Sequence, residues 1–366
     1  MLRSSDPNTR QRGRRAAVAV VIGMAVAMFA QGAHANTFVP ENGKIYHGVS
    51  DTSEVADFNN FKRQVRAHPA VLQEFYHWDV SLPASGAFHR WNKTDTLGVV
   101  SMSTKYPATG HAEMSPGQIS KARGDSYLLR LNESIAARGT PVYFRLFPEM
   151  NGSWNPYCAF KPNGEPRDDA HKTKFFRRAW QRFVMVVRGG PLKGINRRLR
   201  AHHMPRLLHA RSNHDPVYRE NGVGKRLPRP KVAFMWVPQT AGSPNVPGNQ
   251  PQSYWPGRNF VDWVGADIYS KYAGAAFPAL QSFYRRYKNY PFMIGEYSPW
   301  DNDFSGAFTQ QLFNWARSHG RVRMLIYYRS VTADNPYYIS HFPTARSIMR
   351  SQLNKNAFDP YAPQAR

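Results

Sequence analysis

The residues best suited to chemistry are two glutamates. Glu149 follows a run rich in β-branched and aromatic residues, Val142 to Phe147, and is succeeded by the turn signal Asn151-Gly152 and by Trp154. A continuous apolar run of that length reads as a strand buried on both faces. Glu296 repeats the design: it closes the apolar run from Tyr290 to Gly295 and has Trp300 in the segment after it. Of the nine glutamates in the chain, only these two close such strands. A strand-end carboxyl does proton chemistry, and an indole beside it stacks on the apolar face of a pyranose ring. Either glutamate alone reads equally well as a solvated carboxylate. Two of them on different parallel strands suit acid/base cleavage of a glycosidic bond, which needs one protonated and one ionised carboxyl, roughly 5–5.5 Å apart when configuration is retained.

Three stretches carry a family resemblance. Arg145-x-x-x-Glu149-Met-Asn-Gly-x-Trp154 resembles the acid/base motif of glycoside hydrolase family 26, whose best-known members are β-mannanases. The segment from Tyr254 to Tyr269 is similar to that family's approach to its sixth strand, and Ile294-Gly-Glu-Tyr297 to its nucleophile strand. The motifs fall in the family's order, and the similarity runs from about Lys44 to about Gln352. The resemblance implies a (β/α)8 barrel in which Glu149 is the acid/base and Glu296 the nucleophile. It also implies that Tyr269 hydrogen-bonds the nucleophile and that Trp236 matches a strand-five tryptophan. One position departs: the family has His immediately before the acid/base, and this chain has Pro148.

Several other residues take their place around this pair. Arg145 lies four residues before Glu149 in the same strand, so both project to one face. An arginine inside a barrel needs an acidic partner, and Asp267 is a candidate. Trp154, Trp300, Trp236 and Trp78 are candidate sugar platforms, with Trp154 and Trp300 favoured because each follows a catalytic strand. Asn151 is a candidate for substrate contact or for fixing the loop after Glu149.

The elements that must position these residues alternate. Strand-like segments are Lys44 to Ser50, Ala70 to Trp78, Leu97 to Ser103, Val142 to Pro148, Val232 to Val237, Val261 to Ile268, Phe292 to Gly295 and Val322 to Tyr328. Helical spacing marks Val55 to Ala67, Gly117 to Arg138, Lys172 to Arg188, Ala276 to Lys288, Phe304 to Ser318 and Ile339 to Leu353. Alternation of this kind predicts an α/β fold with a parallel sheet, here a single (β/α)8 TIM barrel spanning 36–366. Residues 189–230 are basic and rich in Pro, Gly and His and read as an excursion before strand five. Pro238 to Gly257 is a Pro-, Gly-, Asn- and Gln-dense loop on the expected catalytic face.

Residues 1–35 read as a signal peptide. Arg10, Arg12, Arg14 and Arg15 precede the apolar stretch Ala16 to Ala30, and Ala33-His-Ala35 fits small-x-small cleavage. About 15 apolar residues fall short of the roughly 20 that span a bilayer. The expected mature chain therefore starts near Asn36 as a monomer without a membrane span, secreted to the extracellular space or associated with the cell envelope. Cys158 is the sole cysteine, so no intramolecular disulfide forms, and a partly buried thiol near the site is expected. No Cys/His spacing suggests a metal: His202, His203, His209 and His214 are scattered in a basic loop. No cofactor is expected.

The formal charge is +25, or +21 without the leader. Such a surface attracts an acidic polysaccharide or an anionic cell-envelope polymer. Nucleic acid is not the expected partner, since the basic residues are spread along the chain without a nucleic-acid motif. The function these features favour is an exported retaining endo-β-glycosidase acting on a β-1,4-mannan-like polysaccharide. The alternatives are hydrolysis of another envelope or capsular glycan, acidic ones included, and a barrel that binds polysaccharide without cleaving it.

Overall fold

The computed structural model describes residues 38–41, 43–50, 54–105, 114–207, 224–300, 305–329 and 337–362. Eight parallel strands close into a barrel: β1 (Ile45–Ser50), β2 (Val71–Tyr76), β3 (Leu97–Met102), β4 (Val142–Leu146), β5 (Val232–Trp236), β6 (Trp263–Tyr269), β7 (Phe292–Ser298) and β8 (Val322–Tyr328). The circle shuts where β8 returns to β1, with Tyr46 level with Met324 and Ser50 with Tyr328. Strands in such a barrel are covered on both faces, which is why β1, β3, β4, β5 and β7 are buried at every position. An inner cluster including Tyr46, Val99, Tyr143, Met235, Trp263 and Met293 fills the barrel, and a larger cluster lies between the strands and the helices.

Among the described residues the helices are α1 (Val55–Val65), α2 (Ala87–Thr94), α3 (Pro116–Ser120), α4 (Asp125–Arg138), α5 (Thr173–Val187), α6 (Leu192–Ala201), α7 (Ala273–Arg286), α8 (Ser305–Ser318) and α9 (Pro343–Leu353). Phe176, Trp180, Phe183 and Val187, spaced at three and four residues on α5, all pack into the outer cluster. The helix expected over 117–138 is two helices. A Ser115/Gln118 capping box opens α3, and left-handed Ala122 and Gly124 turn the chain into α4. Sequence periodicity gave no sign of α2, which is only eight residues long. Within 189–230, α6 and a two-residue antiparallel pair, Gly190–Pro191 with Arg226–Leu227, form the excursion. Residues 208–223, with His209 and His214, and the leader lie outside the described residues.

The connection read as a loop over Pro238 to Gly257 carries no α-helix. Between β5 and β6 the chain makes three 3-10 turns, Pro247–Asn249, Pro251–Tyr254 and Arg258–Phe260. Prolines at 244, 247, 251 and 256 remove the N–H donors that an α-helix would need. At the opposite end of the barrel, Phe38 and Val39 pack with Ala362 against the floor of the inner cluster. The Tyr143 hydroxyl donates to the Phe38 carbonyl there, and Phe358–Asp359 adds to the first two residues of β1.

Candidate active site

Glu149 and Glu296 both reach the C-terminal mouth of the barrel, by different routes. β4 stops at Leu146, and the next residues turn sharply, with Phe147 at φ +45° and Glu149 at φ +49° on either side of Pro148. Bulky residues are rare in that region, and each costs on the order of 1–3 kcal/mol unless its surroundings impose it. Here the surroundings do. Phe147 is buried among Tyr157, Phe176, Trp180 and Phe183. The Tyr157 hydroxyl donates to the Pro148 carbonyl at 2.7 Å, the Asn155 amide donates to the Glu149 carbonyl at 2.9 Å, and the Glu149 N–H donates to the Val237 carbonyl at 2.8 Å.

Glu296 is aimed by a bulge. Ile294 pairs with Leu325 of β8 and Ala266 of β6, and Tyr297 with Tyr327 and Ile268, so β7 carries one extra residue against both neighbours. A bulge re-aims a side chain, and this one turns Glu296 inwards although the preceding Gly295 already faces inwards, towards Asp267 and Arg145. The strand therefore runs on past Gly295, where the sequence reading ended it, to Ser298.

Arg145 ties the site together. Fully buried, it donates from Nη1 to Glu296 and from Nη2 to Asp267. The partner suggested by the sequence is thus present, and the nucleophile candidate is a second. The Tyr269 hydroxyl donates to the other oxygen of Glu296. Gly295 makes room for this arrangement: a Cβ there would lie 2.7 Å from Asp267 Oδ1 and 3.0 Å from Arg145 Nε. Glu149 accepts from Trp154 Nε1 at 3.1 Å and from Gln239 Nε2. Its pKa is raised, first by burial and next by the charge of Glu296, against the opposing pull of Arg145 and of hydrogen bonds with Asp267 and Trp154. Asp267 is pushed well above the carboxylate range, chiefly by burial.

The candidate platforms divide. Trp154 is 54 % exposed at the mouth, lying over Gly152, where a Cβ would come within 2.4 Å of its ring. Trp300 is half-buried and packs edge-on to Tyr269 and Tyr337, with Lys271 Nζ 4.9 Å from its ring centre. Trp236 is not at the mouth. β5 turns Ala233, Met235 and Val237 inwards, so Trp236 points out and is buried against Trp255, Phe283 and Tyr287. Trp78 is buried against Tyr127 and Phe183. Asn151 is fully buried, with its oxygen accepting from the Gln239 N–H at 2.8 Å and its amide donating to the Gln239 carbonyl at 3.0 Å. It fixes the loop that presents Gln239 and is closed off from substrate. Cys158 is fully rather than partly buried, against Tyr254 and Asn249.

Residues the sequence reading passed over complete the mouth. Phe75 on β2 is 44 % exposed and meets Tyr328 at the end of β8; Tyr328 in turn meets Tyr337 and Tyr269, and Tyr272, 57 % exposed, meets Trp300. Gln239 sits two residues beyond Val237, in the loop already marked as functional by its composition.

No protein-family model matches the chain, and no curated protein matches it in sequence. Solved structures do share its fold. A β-mannanase of glycoside hydrolase family 26 from Bacteroides ovatus is 14 % identical over 90 % of this chain and 93 % of its own, with a TM-score of 0.57. A double mutant of the Cellulomonas fimi endo-β-1,4-mannanase is 14 % identical over 88 % of this chain and 74 % of its own, with a TM-score of 0.58. The YdhT protein from Bacillus subtilis is 14 % identical over 89 % of each chain, with a TM-score of 0.55. The barrel of this chain thus has the fold of family 26 glycoside hydrolase structures.

Proposed function

We propose that the chain is a secreted retaining endo-β-glycosidase acting on a β-1,4-mannan-like polysaccharide. The observation that carries this reading is the contrast between the two glutamates at the mouth. Glu296, held by Arg145 and Tyr269, is aimed as a nucleophile. Glu149, its pKa raised by burial and by Glu296, is suited to the part of the acid. In the first step Glu296 attacks the anomeric carbon while Glu149 protonates the departing oxygen. In the second, Glu149 takes a proton from water, which displaces Glu296 from the sugar. The same fold in structures named as mannanases supports the mannan assignment, as does the aromatic rim, whose rings offer stacking faces to an extended chain.

A second reading, an acidic glycan as substrate, is favoured by Pro148 in place of the family histidine and by Lys271 over the Trp300 ring. Reducing-end release from a panel of neutral mannans and acidic polysaccharides separates the two. Turnover of mannan alone supports the first, turnover of an acidic glycan alone the second, and binding without turnover leaves neither standing. If mannan is not a substrate, Pro148→His restores the histidine donor beside the acid. A folded variant that still fails on mannan assigns the pocket to another sugar.

A further inference from the structure

The end of the barrel opposite the mouth carries a cavity that the proposed chemistry does not use. The last turn of α1 supplies Lys62 and Arg63, the segment after it Arg66 and His68, and the loop after α9 Lys355; Tyr361 forms one wall. The cavity holds about 640 Å³, within the range of small-molecule and sugar sites. A second lobe of about 520 Å³, reaching Lys44 and Glu41, shares Asn356, Phe358, Pro360 and Tyr361 with it. Its position follows from topology: α1 feeds the start of β2, and Phe358–Asp359 pairs with the start of β1.

Charge and shape there point the same way. None of Lys62, Arg63, Arg66 and Lys355 makes an ion pair with another described residue. The first lobe has no carboxylate in its wall; Glu41 and Asp359 lie in the second, and Asp95 acts on His68 from outside. All four cations gather at two helix C-termini: Lys62 and Arg63 in the last turn of α1, Arg66 as its C-cap, and Lys355 just past the C-cap of α9, so the two helix ends add their negative poles beneath a wall of positive side chains. Arg66 stands at φ +54°, where glycine or asparagine is the usual residue. Tyr361 is 39 % exposed, an uncommon setting for a large aromatic ring in this molecule, and it stacks on His68 with ring centres 4.6 Å apart and planes at 27°. His68 Nδ1 donates to the Pro360 carbonyl at 3.0 Å and locks that pair.

We infer that this face is a second, noncatalytic binding site for an anionic polysaccharide. Lys62, Arg66 and Lys355 take its acidic groups, and the His68–Tyr361 pair takes a pyranose face. A nucleic-acid strand is disfavoured because such grooves stack successive bases on successive rings, and this cavity offers one stacked pair. The site would hold the protein on an acidic polymer while leaving the mouth open.

Titration calorimetry of the full chain with a galacturonate decamer at low salt tests this. The native protein should bind the decamer and not neutral dextran. Lys62→Ser/Arg66→Ser/Lys355→Ser should weaken binding at least about tenfold. Lys193→Ser/Arg197→Ser/Arg200→Ser, which removes the same charge from the exposed face of α6, should weaken it less than about twofold. Arg66→Gly guards against a folding artefact, because glycine suits that backbone: it should weaken binding without lowering Tm. Equal losses from the two triple variants, no binding by the native protein, or tighter binding of a single-stranded DNA of equal charge would each overturn the proposal.

Discussion

Glu149 and Glu296 should fail differently when removed. Glu149→Ala lacks the proton donor, a loss of about 10²–10⁴ for poor leaving groups. An aryl glycoside of the right sugar should still form the glycosyl-enzyme, which then accumulates. Azide, which needs no base, should rescue that variant and give the β-glycosyl azide, the product of two inversions. Glu296→Ala has no nucleophile, and azide should give the α-azide by a single inversion. Product stereochemistry by NMR reads both, and rescue of neither folded variant would remove the role assignment. The surroundings of Glu149 add a second expectation. Burial and Glu296 raise its pKa, and the Trp154 hydrogen bond opposes them together with the stronger pulls of Arg145 and Asp267. Trp154→Phe keeps a ring for stacking and removes that donor. The basic limb of the kcat/KM profile should therefore move to higher pH, and an unmoved or lowered limb would contradict this account.

At the scale of elements, the bulge in β7 is the feature on which the site turns. Gly295→Ala would press a methyl group into the Asp267–Arg145 pair, and overpacking of this kind costs about 1–3 kcal/mol. The variant should show a lower Tm and a larger fall in kcat than in substrate affinity, because Arg145 and Glu296 move together. Most of the barrel could be read from sequence, since doubly covered strands are continuous apolar runs, and β4, β8 and α5 lie within two residues of their expected bounds. Arg145 is indeed inside, though not through parity with Glu149, which lies beyond the end of β4; alternation with the inward Tyr143 puts it there. The bulge could not be read, because it exists only as a mismatch in pairing between β7 and two strands distant in sequence. Trp236 shows the opposite failure. Family likeness makes it a sugar platform, whereas alternation with Met235 and Val237 puts it on the outer face. Gln239 was hidden because a loop dense in polar residues does not reveal which of them turns to the carboxylate; that is decided by the buried Asn151 clasping its backbone.

For the whole molecule, the buried acid has a cost that depends on pH. The folded pKa of Glu149 lies above its unfolded value, so its contribution to stability is complete below the ordinary carboxylate pKa and is lost as pH rises through the folded value. Glu149→Gln removes that loss. Its Tm should exceed that of the native chain at neutral pH and converge with it below about pH 4, where both states of the native glutamate are protonated. A gain that is the same at both pH values would mean that packing, not protonation, sets the difference. The floor of the barrel has a practical consequence. Phe38, Val39 and Ala362 all pack beneath the inner core, so each end of the described chain leaves from the face away from the mouth. A handle joined directly before Phe38 or directly after Ala362 and fixed to a bead would display the cleft outwards, open to long polymers. The same handle would crowd Tyr361, so an immobilised preparation should keep its turnover of soluble chains while losing its grip on acidic ones.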